Sequence, residues 1–240
     1  MSIQKLWGTL CAKKMNFYAI FKLLNNYLPV VKSMKFFPDN SDYSLKEFLL
    51  TYSDLLENTF REIDEIALQD TFNCLSKAVQ SKATIFTCGN GGSSSIAEHL
   101  VCDFIKGAAT DSAIEPKVFP LLTTPVITAV ANDISYDDIF SFQIEKYADE
   151  GDVILCVSSS GNSPNIIKAI ESAKRKKMPS ISFVGFDGGK ASEISDFSVH
   201  VSSNNYGICE DAHHILMHVF AQYLRLRNID DESKLGNIKF

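Results

Sequence analysis

The sequence has no excess of positive charge: 23 Lys and Arg stand against 29 Asp and Glu in 240 residues, a formal net charge of −6. Phosphate backbones are held by clustered Lys and Arg, so nucleic acid is not an expected partner. No apolar run approaches the ~20 residues a spanning helix needs, and no membrane is expected either. No CxxC occurs, and Cys11, Cys74, Cys88, Cys102, Cys156 and Cys209 are scattered. A chain this long buries a core without staples, so free thiols in a reducing cytosol are expected. The GxxxxGK[ST] loop is missing, as is a GxGxxG with a downstream acidic residue, which disfavours nucleoside triphosphates and dinucleotides.

What is present is ordinary globular composition, 45% hydrophobic and 22% charged, enough for one domain and an extension. The extension is the N-terminus. Lys5, Lys13, Lys14, Lys22, Lys32 and Lys35 occur before the first acidic residue, Asp39. Neither a secretory signal nor an Arg- and Ser-rich transit peptide fits. Residues 1–43 are therefore read as a basic extension outside the core, 44–230 as the domain and 231–240 as a tail.

Residues 44–81 contain no Pro or Gly and carry apolar residues at three- and four-residue steps, which predicts a two-helix arm. From 83 onward, strand-like runs at 83–88, 118–122, 152–157, 180–185 and 197–201 alternate with helical patterns. The last of these helices spans 210–227. That alternation predicts a doubly wound, five-stranded parallel sheet.

Two loops stand out. Gly89-Asn90-Gly91-Gly92-Ser93-Ser94-Ser95 and Ser158-Ser159-Ser160-Gly161-Asn162-Ser163 each follow a strand and open a helix. Ligands of open α/β sheets sit at the carboxyl ends of strands, where helix N-termini offer free N–H groups. Glycines allow close backbone approach and serines add donors, a combination suited to a phosphate monoester. His99 and Asp103 are i, i+4 neighbours behind the first loop, and Glu210, His214 and His218 follow one another at i+4 on the last helix. Two helices each offering a carboxylate and an imidazole suit a metal or an acid/base pair. Asp133, beside Asn132, is a further candidate for the site, whereas Asp137 reads as a helix cap. The run Lys174-Arg175-Lys176-Lys177 reads as a solvated helix end.

The segments CGNGGSSSIAEHLVCDFIKG, AVANDISYDDIF, GDVILCVSSSGNSPNIIKAIESAK and EDAHHILMH together resemble the bacterial phosphoheptose isomerases of the sugar isomerase (SIS) domain superfamily. The similarity runs from about residue 45 to 227. It implies a flavodoxin-like three-layer sandwich and conversion of sedoheptulose 7-phosphate to D-glycero-D-manno-heptose 7-phosphate for surface-polysaccharide heptose. A cytoplasmic homotetramer with zinc is implied as well. Substrate contacts fall on Asn90, Gly91, Gly92, Ser93, Asn132, Asp133, Ser158, Ser159, Ser160, Ser163 and Glu210. The implied base is Asp103 and the implied acid His218, with His99, Asp103, Glu210 and His218 as zinc ligands. Two positions depart from the family: Asp103 replaces a glutamate, and Glu210 a residue that is usually glutamine. The same domain also serves as a sugar-phosphate sensor, as a module associated with replication initiators, and in isomerases of other phosphosugars; these remain the alternatives.

Overall fold

Ser44 sets the first boundary of the fold. Its hydroxyl accepts from the Glu47 N–H and the Glu47 carboxylate accepts from the Ser44 N–H, a capping box that starts α1 at Leu45–Arg61. Asp64 then caps α2, Glu65–Gln80, by accepting from Ala67 N at 2.7 Å. These two helices are the expected arm, with Phe72, Leu75, Ala78 and Val79 of α2 buried. The computed structural model describes residues 36–236. Most of the basic extension, Cys11 with it, and the end of the tail lie outside the described residues.

The sheet contains β1 (Thr84–Gly89), β2 (Lys117–Pro120), β3 (Val153–Ser158), β4 (Ser180–Val184) and β5 (Phe197–His200). All pairings are parallel, in the order β2-β1-β3-β4-β5. The helices are α3 (Gly92–Cys102), α4 (Thr124–Asp133), α5 (Ser141–Tyr147), α6 (Pro164–Arg175), α7 (Gly189–Ile194) and α8 (Tyr206–Arg227). Every side chain of β3 and β4 is buried, as expected of central strands covered on both faces. Cys88 and Cys156 are register partners on β1 and β3 with Sγ atoms 3.5 Å apart, and the described cysteines are all free. No helix among the described residues is long and apolar enough to cross a membrane.

Two details differ from expectation. α8 begins at Tyr206 rather than 210, because the Asn205 side chain accepts from Ile208 N and caps it earlier. Asp137 is not a cap: Ser135 takes that role, its hydroxyl accepting from Asp137 N. The basic run ending α6 is largely exposed, as expected, with surface pairs from Arg175 to Glu145 at 3.1 Å and from Lys177 to Glu150 at 3.0 Å.

The strand order places the topological switch between β1 and β3. The chain leaves β1 toward β2 on one side, and β3 lies on the other, so the loops after β1 and β3 diverge around a crevice. Both serine-rich loops occupy that position. α3 runs on into a π-helical turn, Asp103–Ala108, whose wider coil is common at functional sites. It buries Asp103 and Phe104 together. α8 packs along α3 and this turn. Its inner face carries His213, fully buried beside Phe183, with neither ring nitrogen hydrogen-bonded. Burial lowers the His213 pKa to about 4, so this imidazole is a neutral core residue.

Candidate active site

The first loop turns at Gly91 (φ 55°) and starts α3 without a side-chain cap. The second turns at Gly161 (φ 63°), and Ser163 begins α6, again without a side-chain cap hydrogen bond. Neither of the two helix starts is closed by a side chain, although Ser94 N and Ile166 N bond back to the Gly91 and Ser163 carbonyls and Pro164 carries no N–H. Between them lies a cleft of about 130 Å³ lined by Asn90, Ser93, Ser158, Ser159, Ser160 and Ser163, with Val157, Tyr206 and Glu210 completing the wall.

The hydroxyls of this cleft are held in different ways. Those of Ser158 and Ser160 accept from the N–H groups of Gly161 and Asn162 at 3.2 and 3.3 Å, which leaves their own protons free to donate. The Ser159 hydroxyl is buried with no partner. A buried hydroxyl without a hydrogen bond costs about 1–3 kcal/mol, so a donor kept in this state at a cleft points to a ligand. The two loops are tied by Asn90 and Asn165, whose amides exchange two hydrogen bonds of 2.9 Å. Tyr136 adds a third tie by donating to Asn90 Oδ1 at 3.1 Å.

Asn132 and Asp133 do not line the cleft. Both are exposed at the end of α4, where Asn132 donates to Asp133 at 2.7 Å. The neighbouring residue that does reach the loops is Tyr136. Gly91 and Gly92 act through backbone: a Cβ on Gly92 would lie 2.3 Å from Glu210 Oε2. Glu210 therefore packs directly on the start of α3.

Beyond the cleft the same two helices carry the ionisable groups. α3 and α8 run in the same sense, so Gly92 faces Glu210, His99 faces His214, and Asp103 faces His218. Asp103 Oδ2 lies 2.5 Å from His218 Nδ1, and Oδ1 lies 3.5 Å from His99 Nε2. His99 Nδ1 lies 2.8 Å from His214 Nε2. His214 also stacks on His218, with ring centroids 5.3 Å apart at 17°. Burial, and then the neighbouring His99 and His218, lower the His214 pKa, so this ring resists protonation.

Asp103, His99 and His218 thus converge as expected, while Glu210 does not join them. One nitrogen from each of His99, His214 and His218 lies within 4.8 Å of the others, and this is the candidate metal cluster among the described residues. The reason lies in helix geometry. Eight residues separate Glu210 from His218, about 12 Å along the axis, so one end of α8 serves the serines and the other the imidazoles. His214 was visible in the i+4 series yet had no role implied by resemblance. Tyr136, Asn165 and Tyr206 carried no sequence signal, because each reaches the site only through folding.

A model of the SIS domain matches residues 47–185. The phosphoheptose isomerase of Helicobacter pylori is 30% identical over 178 residues, 74% of this chain and 92% of its own length. That of Clostridium acetobutylicum is 32% identical over 179 residues, 75% of this chain and 87% of its own. Among solved structures, phosphoheptose isomerase from Neisseria gonorrhoeae superposes with a TM-score of 0.69 at 26% identity, covering 75% of this chain and 98% of that one.

Proposed function

The chain belongs to the phosphoheptose isomerases of the SIS domain family, and from that premise we propose that it isomerises sedoheptulose 7-phosphate to D-glycero-D-manno-heptose 7-phosphate through an enediol. The observation that carries this reading is the unpartnered Ser159 hydroxyl in a serine-lined cleft under two uncapped helix N-termini. Such a cleft suits a phosphate dianion: serine O–H groups donate, and the helix dipoles favour negative charge. The Asp103–His218 pair lies about two helical turns further along α8. An open-chain seven-carbon sugar phosphate spans eight bonds from phosphorus to C1, about 10 Å at roughly 1.2 Å per bond. With its phosphate among the serines, its C1 and C2 come within reach of Asp103 and His218.

In the proton transfers, Asp103 takes the proton from C1 as His218 gives one to the carbonyl oxygen on C2. The enediol then loses the O1 proton to His218 and receives the carbon proton at C2 from Asp103. Microscopic reversibility gives the reverse direction. A carboxylate and an imidazole 2.5 Å apart are suited to this exchange, because each stabilises the charge the other acquires. The Asn90–Asn165 pair and Tyr136 hold the loops in place for it.

Zinc was implied on His99, Asp103, Glu210 and His218. Those four do not form one donor set here, since Glu210 packs on Gly92 at the serine end. The transfers above accordingly run through side chains alone. The remaining parts of the proposal are a domain spanning 44–230, a homotetramer, a cytoplasmic location and a place in surface-polysaccharide heptose synthesis. A sugar-phosphate sensor would need the cleft but not the carboxylate–imidazole pair, and the pair favours the enzyme.

The test is turnover of sedoheptulose 7-phosphate by purified full-length protein, followed as aldose formation. Ser160→Ala and Ser163→Ala are each expected to raise KM about 10- to 150-fold, the equivalent of a hydrogen bond to a charged group at about 1.5–3 kcal/mol. Ser159→Ala is expected to do the same while leaving thermal stability unchanged, because its hydroxyl has no partner to lose. Ser195→Ala, at the end of α7, is the control. Unchanged KM in all three cleft variants removes the phosphate assignment.

A further inference from the structure

Asn90 lines the serine cleft, and its side-chain amide is held more closely than a loop tie requires. The carbonyl Oδ1 accepts from Asn165 Nδ2 at 2.9 Å and from Tyr136 Oη at 3.1 Å, which fills both of its lone pairs. Nδ2 gives one proton to Asn165 Oδ1 at 2.9 Å. Its second proton has no partner among the described residues, and a donor on the wall of this cleft is what a phosphate oxygen takes up.

Two amides joined by reciprocal hydrogen bonds have two equivalent arrangements. Turning both by 180° exchanges each oxygen with its nitrogen and keeps both bonds. In the turned arrangement Asn90 would present a carbonyl oxygen where its free N–H now lies, and that oxygen would repel a phosphate. The Tyr136 hydroxyl removes the equivalence. A phenol donates better than it accepts, because its oxygen shares a lone pair with the ring, so it favours Oδ1 on its own side. Tyr136 is itself anchored. Asp138, two residues on, accepts from Lys168 Nζ at 2.9 and 3.0 Å, and Lys168 lies on α6 one turn beyond Asn165.

We propose that Tyr136 is a positioning residue for phosphate recognition: its hydroxyl sets the Asn90 amide so that an N–H, not a carbonyl oxygen, faces the phosphate. This rests on the serine cleft being the phosphate site. Tyr136 touches no reacting atom in this role and acts through Asn90. Tyr136→Phe removes the donor and keeps the ring, which is more than half exposed.

The affinity of the full-length protein for inorganic phosphate and for sedoheptulose 7-phosphate is measured by calorimetry in the parent, Tyr136→Phe, Asn90→Ala and the double variant. Tyr136→Phe is expected to weaken both ligands about 2- to 12-fold, the equivalent of one neutral hydrogen bond. Asn90→Ala is expected to cost about 10-fold or more, since its N–H meets a charged group. In the Asn90→Ala background, Tyr136→Phe is expected to have no further effect, because the amide it orients is gone. A merely structural tie would cost the same in both backgrounds. Asn90→Asp accepts from Tyr136 and Asn165 but offers no N–H, and it replaces Asn90→Ala as the background if that variant melts early. Equal losses from Tyr136→Phe in the two backgrounds, or unchanged affinity in Tyr136→Phe, overturn the proposal and leave the cleft assignment standing. A parent that binds neither ligand removes both. Coupled losses without turnover uphold the orienting role and count against the isomerase.

Discussion

Asp103→Asn is expected to lower kcat for sedoheptulose 7-phosphate by about 10²- to 10⁴-fold, the usual contribution of a positioned acid or base. KM should change little, because the phosphate is held about two helical turns away. Stability should change little too, since the amide remains able to hydrogen-bond His218 in the same place. The more telling variant is Asp103→Glu. The family carries glutamate here, and aspartate is shorter by one methylene, about 1.5 Å. Asp103 nonetheless reaches both His99 and His218, because α3 and α8 run side by side and bring its oxygens to 3.5 and 2.5 Å of the two rings. The 2.5 Å contact already made to His218 leaves no room along that line for a longer stem. Glutamate there must displace His218, and a displacement near 1 Å can cost about 10²-fold in rate. Steady-state kinetics on the three proteins checks this. Activity higher in Asp103→Glu than in the parent would mean that the aspartate is a lost base, and the sensor reading would then be preferred.

The second large effect is expected at Gly161. Its φ of 63° is left-handed, and a Cβ there would lie 2.0 Å from the Gly188 carbonyl oxygen. That oxygen belongs to backbone and cannot swing away as a side chain does. Gly161→Ala therefore combines about 1–2 kcal/mol of left-handed strain with a forced shift of the loop that holds Ser158, Ser159 and Ser160. A total near 3 kcal/mol corresponds to a Tm roughly 6–12 °C lower for a domain of this size. Phosphate affinity should fall alongside stability. Gly151→Ala is the matched control: its φ of 91° is also positive, but nothing lies within 4 Å of its Cβ position. It should cost only the conformational part, about 1–2 kcal/mol, with KM unchanged. Equal effects of the two substitutions on KM would separate the second loop from the phosphate.

The architecture could be read from the residues because it rests on local periodicity. The runs TIFTCG, VILCVS and SISFV are too short and too continuously apolar for helices, and all three are strands. Helix starts were less legible. The periodic pattern placed α1 close to its observed start, but α8 began four residues before its expected one, since its cap, Asn205, lies outside the apolar pattern. The strand order left no local signature, and it is the order that brings the loops after β1 and β3 to one crevice.

The sequence alone determined which residue types could do chemistry here: two loops of glycine and serine at strand ends, and carboxylates and imidazoles at i+4 spacing. It also put Asp103 where a glutamate is expected. Spacing within one helix says which side chains share a face, but not how far along a second helix each will meet its partner. The packing of α8 on α3 decided that. With Gly92 against Glu210, His99 against His214 and Asp103 against His218, the carboxylate of Glu210 went to the serine cleft and His214 to the other imidazoles. A rise of 1.5 Å per residue converts the four-residue steps of α8 into about 6 Å divisions. Only the relative position of two packed helices selects the division that faces each ligand.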